Sequence, residues 1–305
     1  FKCPYARTKL WRIQDVMVSK MKMSDSLPKN NLCELVINDD IARINLNRSD
    51  VFNALNTELI SELISLIKWT SDRSVSRNSS LKDSDGNKFL RVIIFTGEGK
   101  HFCAGADINM MRDAGARSVE ENRLDSERLD SLFYGLWSHP CFTIGCIQGV
   151  ALGGGAGLVS CFDYAIAEPR TRIALSEAKL GILPAVIGPY VYRKIGSSNF
   201  RRLSMMASKI DSDEAMRIGL IDYVTESSGD FEDKSNMIAQ EVLTTGPMAI
   251  TEAKNLTLFF DRWNGNDEDL REWTLDKTSQ MRGSEEGQEG LSSFLERRKP
   301  NWSSE

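Results

Sequence analysis

The stretch Gly149-Val150-Ala151-Leu152-Gly153-Gly154-Gly155-Ala156-Gly157 constrains this chain more than any other segment. It lies inside an uncharged run from Cys141 to Phe162 that is long enough to span a bilayer. Six glycines interrupt that run, three of them consecutive, and each costs about 1 kcal/mol relative to Ala in a helix, so a membrane span is excluded. A buried strand, a glycine turn and a helix start account for it. No Gly-Lys-Ser or Gly-Lys-Thr follows, and the Gly-x-Gly-x-x-Gly spacing of a dinucleotide site is missing. What remains is a bare backbone turn whose first helical N–H groups can meet an anion or a developing oxyanion. A tight turn needing positive φ is the plain structural alternative.

Composition removes several other classes of function. The 305 residues carry 38 Lys and Arg against 43 Asp and Glu, a net charge of −5, so no overall basic field exists to hold nucleic acid. With two histidines, His101 and His139, neither a histidine-built metal site nor a Ser-His-Asp triad has material to draw on. Six cysteines without Cys-x-x-Cys spacing suit reduced core thiols and a reducing compartment. Residues 1–32 form a basic, acid-poor extension, compatible with the remnant of an organellar transit sequence or with a cationic arm that docks on a partner.

Along the chain, Leu35–Ile37 and Ala42–Leu46 predict a hairpin around Asn38-Asp39-Asp40, and Leu55 to Ile67 an amphipathic helix. Residues 71–88 read as a polar surface insertion. Leu90–Phe95 predicts a strand covered on both faces. Ser118 to Glu121 is a capping box opening a helix that stops before Pro140. Strands over 143–148, 163–167 and 173–175, a helix over 158–162 and a helical turn over 186–195 complete an alternation that argues for parallel βαβ units. From Phe231 only helical periodicity remains. The organisation is therefore an N-terminal extension (1–32), an α/β core (33–230) and an all-helical region (231–305).

A second turn of small residues, Phe102-Cys103-Ala104-Gly105-Ala106-Asp107-Ile108, also follows a strand, and two such turns can supply two convergent N–H donors. Taken with Gln148 to Gly155, Leu175-Ser176-Glu177-Ala178-Lys179-Leu180-Gly181-Ile182-Leu183-Pro184, Ala215 to Ile221, Ser284 to Gly290 and Phe294 to Pro300, it resembles the crotonase (enoyl-CoA hydratase/isomerase) superfamily over residues 33 to 302. The strings Cys103 to Arg112 and Leu175 to Val191 are similar to those of methylglutaconyl-CoA hydratases.

The resemblance implies a crotonase-like spiral of ββα units with a C-terminal helical region. It implies catalytic roles for Glu177 as acid and base and for the N–H groups of Ala106 and Gly154 as holders of the thioester oxygen. It places Ala104, Asp107, Ile108, Asn109, Gly153 and Arg297 against the coenzyme A ester, the adenine near Ala106 to Asn109 and the phosphates near Arg297, often across a subunit boundary. No cofactor beyond the substrate's own coenzyme A and no metal are expected, and the implied assembly is a homotrimer or hexamer. The extension leaves a larger mitochondrial assembly open.

Gly157 stands where two-carboxylate hydratases keep their first glutamate. Hydration of a methylglutaconyl-type ester in leucine breakdown by Glu177 alone leads the readings, because the resemblance implies Gly at this position in the methylglutaconyl branch, and Gly157 is expected to leave space there. A Δ3,Δ2-enoyl-CoA isomerase using one Glu is the alternative. A 3-hydroxyisobutyryl-CoA hydrolase ranks below it, because Ala185 replaces the acidic residue wanted after Pro184. A crotonase-fold scaffold subunit is the non-enzymatic reading. Without the resemblance, Glu177 reads as a solvated partner of Lys179, His101 and His139 as hydrogen-bonding or capping residues, and Trp263, Trp273, Phe259 and Phe260 as a buried helix face.

Overall fold

The computed structural model describes residues 21–303, so Cys3 and most of the basic extension lie outside the described residues. In chain order the elements begin with β1 (Cys33–Asn38), β2 (Ile41–Leu46), α1 (Thr57–Asp72), α2 (Val75–Asn78) and β3 (Val92–Gly97). Next come α3 (Ile108–Ala114), α4 (Val119–Trp137), β4 (Phe142–Ile147), β5 (Val150–Leu152), α5 (Gly154–Cys161), β6 (Tyr164–Ala167) and β7 (Arg172–Ala174). The chain continues through α6 (Gly188–Met206), β8 (Ile210–Asp211), α7 (Ser212–Arg217) and β9 (Tyr223–Val224) to α8 (Phe231–Leu243), α9 (Pro247–Phe260), α10 (Asp267–Gly283) and α11 (Glu285–Leu295).

Two layers of strand grow together. The large sheet runs β1-β2-β3-β4-β6-β9, parallel throughout except for the β1–β2 hairpin. The small sheet runs β5-β7-β8 and is extended by single bridges, Cys103 to Ala151 and Ala106 to Leu55. Each turn of the chain thus lays one strand in the large sheet, one short extended piece in the small layer and then a helix: β2, Leu55, α1; β3, Cys103–Ala106, α3; β4, β5, α5; β6, β7, α6. This is the spiral that the resemblance implies.

The uninterrupted apolar character of β3 and β4 follows from burial on both faces. Ile44, Leu46, Ile93 and Phe95 pack with α1, α4, α5 and α6 on one side. Val92, Ile94, Ile144 and Ile166 pack under Phe231, Ile238, Ala239 and Leu243 of α8 on the other. The helical region is tied down by a buried cation: Arg91 donates to the carbonyls of Val242, Leu243 and Thr245 at the end of α8 and to that of Trp302. The Glu286 carboxylate caps α9 by accepting from the N–H groups of Met248 and Ala249. Phe259 stacks on Trp273 at 3.7 Å, joining α9 to α10.

The insertion over 71–88 corrects the sequence reading. α1 runs on through Asp72, and Arg73, Ser74 and Val75 are buried, because Arg73 lies over the Trp69 ring and Val75 pairs with Leu90. Only the tip is solvated, and it is occupied: Asp83 accepts from the Met23 N–H and Asp85 pairs with Lys22, clamping the N-terminal segment against the tip. Glu62 holds the same segment by accepting from the N–H groups of Asn31, Leu32 and Cys33. The helical turn expected over 186–195 is likewise longer, a helix to Met206 with a break at Gly196.

All five cysteines among the described residues are buried and unbridged. Burial pushes the thiols of Cys33, Cys103, Cys141 and Cys146 up to about 12, so they are inert at neutral pH. Among the described residues no helix is long and apolar enough to cross a membrane.

His139 closes α4. Its Nδ1 accepts from the Cys141 N–H and its Nε2 faces the Thr70 hydroxyl, so the neutral ring is fully used. Burial lowers its pKa from 6.5 to about 3. The unfolded chain therefore binds a proton below pH 6.5 that the folded one refuses, and stability falls as the pH drops from there, by about 1.4 kcal/mol per unit for this one group. Urea unfolding at pH 7, 5.5 and 4.5 should show wild type losing about one proton's worth of slope more than His139→Gln.

Candidate active site

The two small-residue turns are built against each other. The N–H of Cys103 donates to the carbonyl of Val150 and that of Leu152 to Cys103, while on the other side Leu55 donates to Gly105 and Asp107 to Leu55. Those last two bonds use the groups flanking Ala106, so in a parallel ladder the N–H of Ala106 itself points away from Leu55. Gly105, at φ +96°, fits because a Cβ there would lie 2.7 Å from the Leu152 carbonyl oxygen and 3.8 Å from the Gly154 nitrogen. Gly155 fits for the reciprocal reason, against the Cys103 carbonyl.

The Gly153 N–H is spent on Ala174, and the helix α5 starts at Gly154, whose N–H has no carbonyl four residues back. Ala106 and Gly154 thus present N–H groups that the pairing of their own turns does not consume. Together they make the arrangement that favours a developing oxyanion.

Glu177 comes to this point by β7, which runs parallel to β5 with Ala174 opposite Leu152. It is the first residue of a 3-10 turn, Glu177–Leu180, three residues beyond the end of β7. A Cβ on Gly153 would lie 3.1 Å from its Oε1, so the glycine at φ +48° also makes room for the carboxylate. The other oxygen, Oε2, is buried without a hydrogen-bond partner. Burial raises the carboxyl pKa above the usual range, opposed in part by the residue's own N–H. Lys179 is exposed, so the solvated-pair alternative does not describe this residue. A partly dry, unpaired carboxylate beside two unspent N–H groups can carry a proton next to a carbonyl whose oxygen gains charge.

The remaining residues singled out from the sequence divide. Ala104 stands in the turn, its N–H donating to Phe52. Asp107 is turned inward: its carboxylate takes Arg48 at 2.8 Å and caps Asn109, and the Arg48 bond holds its pKa below the usual carboxylate range. Ile108 and Asn109 are exposed at the start of α3. Arg297 is exposed and no contact joins it to the turns among the described residues. It follows α11, on the segment whose Trp302 carbonyl accepts from Arg91, and Arg91 precedes β3 whereas the turns follow it. His101 lies edge-on to Phe52 at 4.9 Å with its Nδ1 buried and unpartnered, not as a capping group.

Sequence reasoning missed two sets of residues. Asn53 accepts from the Arg48 N–H and donates to the carbonyls of Glu98 and His101, locking the loop before α1 to the loop after β3. A wall of Leu55, Phe133 and Ile187 lies against α5: a Cβ on Gly157 would be 2.5 Å from Ile187 Cγ2 and 2.9 Å from Phe133 Cε1. Gly157 therefore does not leave space where a second glutamate would stand. The space is filled by apolar side chains, and no periodicity or motif marks that.

The sequence pattern described as Enoyl-CoA hydratase/isomerase matches residues 36–305. The chain belongs to that family. A crotonyl-CoA hydratase of Syntrophomonas wolfei is 28% identical over 269 residues, 87% of this chain and 95% of that protein. A putative enoyl-CoA hydratase of Thermus thermophilus is 26% identical over 231 residues, 76% of this chain and 90% of the relative. Among solved structures, an enoyl-CoA hydratase from Shewanella pealeana aligns with a TM-score of 0.81 at 32% identity, covering 89% of this chain and 96% of its own. Pseudomonas aeruginosa AtuE aligns at 0.80 with 30% identity over 90% and 100%. Homologous enzymes of this kind and crotonase-fold neighbours agree with the spiral described above.

Gly157→Ala tests the wall. Despite the helix propensity gained, overpacking should destabilise by about 1–3 kcal/mol. Urea unfolding of Gly157→Ala, Ile187→Ala and the pair should give a favourable coupling of about 1 kcal/mol or more, because the smaller Ile187 substitute relieves the clash.

Proposed function

We propose that this chain hydrates an α,β-enoyl-CoA with Glu177 as the only acid-base group. The observation that carries the reading is the half-buried Glu177 carboxylate, its Oε2 buried and unpartnered, at the head of the glycine turn beside the N–H groups of Gly154 and Ala106. Water gives a proton to Glu177 as its oxygen bonds to the β-carbon. The electron pair of the double bond moves onto the thioester oxygen, held by the two N–H groups. Protonated Glu177 then returns the proton to the α-carbon and the enolate collapses to the 3-hydroxyacyl ester, so atoms and charges balance without a redox cofactor.

For the acyl group, the likeness of Cys103 to Arg112 and of Leu175 to Val191 to methylglutaconyl-CoA hydratases, together with Gly157, supports a 3-methylglutaconyl-type ester. The exposed apolar residues Leu275, Leu291, Phe294 and Leu295 of α10 and α11 support assembly of several copies through the helical region.

The Δ3,Δ2-isomerase reading is favoured by one observation of its own. Phe133 and Ile187 keep the Gly157 side dry, and a single carboxylate that moves one proton from α- to γ-carbon needs no water there.

Glu177→Gln should lower turnover by about 10² to 10⁴ fold with acyl-CoA binding retained. Wild-type kcat/KM should fall with acidification at a pH above that of an ordinary glutamate, since the base form is the active one and burial raises its pKa. Purified protein given equal 3-methylglutaconyl-CoA and a 3-enoyl-CoA should hydrate the first faster than it isomerises the second. The opposite order assigns the isomerase, and neither turnover nor a thermal shift with acyl-CoA leaves a scaffold.

A further inference from the structure

Resting on the thioester site just proposed, we infer that Phe133 and Ile187 set the length of the acyl group that this chain accepts. With the thioester oxygen at the Gly154 N–H and the β-carbon near Glu177, the rest of the acyl group has two directions. One runs inward along the face of α5 from Gly154 to Gly157. The other runs outward over the 3-10 turn, where Leu180, Ile182 and Leu183 are exposed.

The inward face is apolar and closed. A Cβ at Gly154 would lie 2.9 Å from Leu55 Cδ1 and 3.9 Å from Phe133 Cζ, and one at Gly157 would meet Ile187 and the same ring. Leu55, Phe133 and Ile187 are all buried. Gly154 and Gly157 are less than one helical turn apart, about 4.5 Å along the axis, so side chains close this face of α5 at both positions.

The stop is braced from behind. The Phe133 ring lies 6.0 Å from Tyr190, and Tyr190 lies 5.6 Å from Trp137 with its hydroxyl donating to Asp130 at 2.9 Å. Ile187 immediately precedes α6, so it cannot retreat without that helix. A protein interior at crystal-like density does not yield to a longer chain at this point. The wall therefore selects short acyl groups, including branched ones whose bulk sits at the β-carbon ahead of Phe133.

The test uses saturated esters, which bind without reacting, so its result does not depend on which reaction the enzyme performs. Calorimetric Kd values for butanoyl-CoA and decanoyl-CoA are measured on wild type, Phe133→Leu, Ile187→Ala and Leu183→Ser, each checked for a native near-ultraviolet spectrum. The expected result is that wild type binds decanoyl-CoA about tenfold more weakly than butanoyl-CoA, and that Phe133→Leu and Ile187→Ala each erase that difference. Decanoyl-CoA bound more tightly by wild type, with Leu183→Ser weakening it, overturns the inference by showing that the chain leaves outward. An unchanged ratio in both wall variants overturns it as well. If the wall variants lose the native spectrum, the wild-type ratio decides alone. Failure of the hydration reading would appear separately, as absent turnover with the Kd ratio intact.

Discussion

Everything at the site depends on one close approach of backbone to backbone. The segment Cys103 to Ala106 is paired with Leu55 on one edge and with β5 on the other, at separations that no side chain on Gly105 or Gly155 would permit. That contact fixes Ala106 and Gly154 as neighbours, leaves their N–H groups outside the ladders, and sets the plane on which Glu177 arrives from β7. A donor pair made of backbone in this way needs no side-chain entropy to be spent on its positioning, and its dipoles are in place before any charge develops.

Around this contact the protein uses buried charge as joinery. Arg91 gathers carbonyls at the end of α8, Glu62 gathers N–H groups of the N-terminal segment, and Lys254 reaches Asp163 and the carbonyls of His139 and Cys141. Each group is satisfied mainly by backbone, so removing one would strand several polar atoms rather than a single partner. Glu177 differs in being an acceptor with no backbone donor from another residue. Its Oε2 is buried with no partner, and a carboxylate oxygen left in that condition costs stability that its neighbours must supply. Such a departure from full satisfaction is where function is to be sought.

The contrast between Glu177 and Asp107 is informative because both are acidic residues in motifs of the same family. Asp107 is held ionised by Arg48 and by a helix N-terminus, and it positions the turn. Glu177 has burial raising its pKa and nothing but its own N–H opposing that, so it holds a proton more readily than an ordinary glutamate whereas Asp107 holds one less readily.

Local pattern was enough for the elements and their order. The hairpin at Asp39, the capping box at Ser118, the apolar run of β3 and the glycine turn before α5 are short-range features, read from spacing and turn chemistry, and the structure has them where the residues indicate. The two turns are contiguous motifs of the same kind, whereas Glu177 was singled out only through the family resemblance, since its own neighbours read as a solvated pair with Lys179. What the sequence could not carry was which side chains from distant segments meet. Asn53 reaches two carbonyls of a loop 45 and 48 residues away, and Ile187 and Phe133 close on Gly157 from two different helical segments. A glycine in a string of letters looks like vacant space. Only the packed fold decides whether that space is open or already filled, because volume in a core is allotted among residues that lie far apart in the chain.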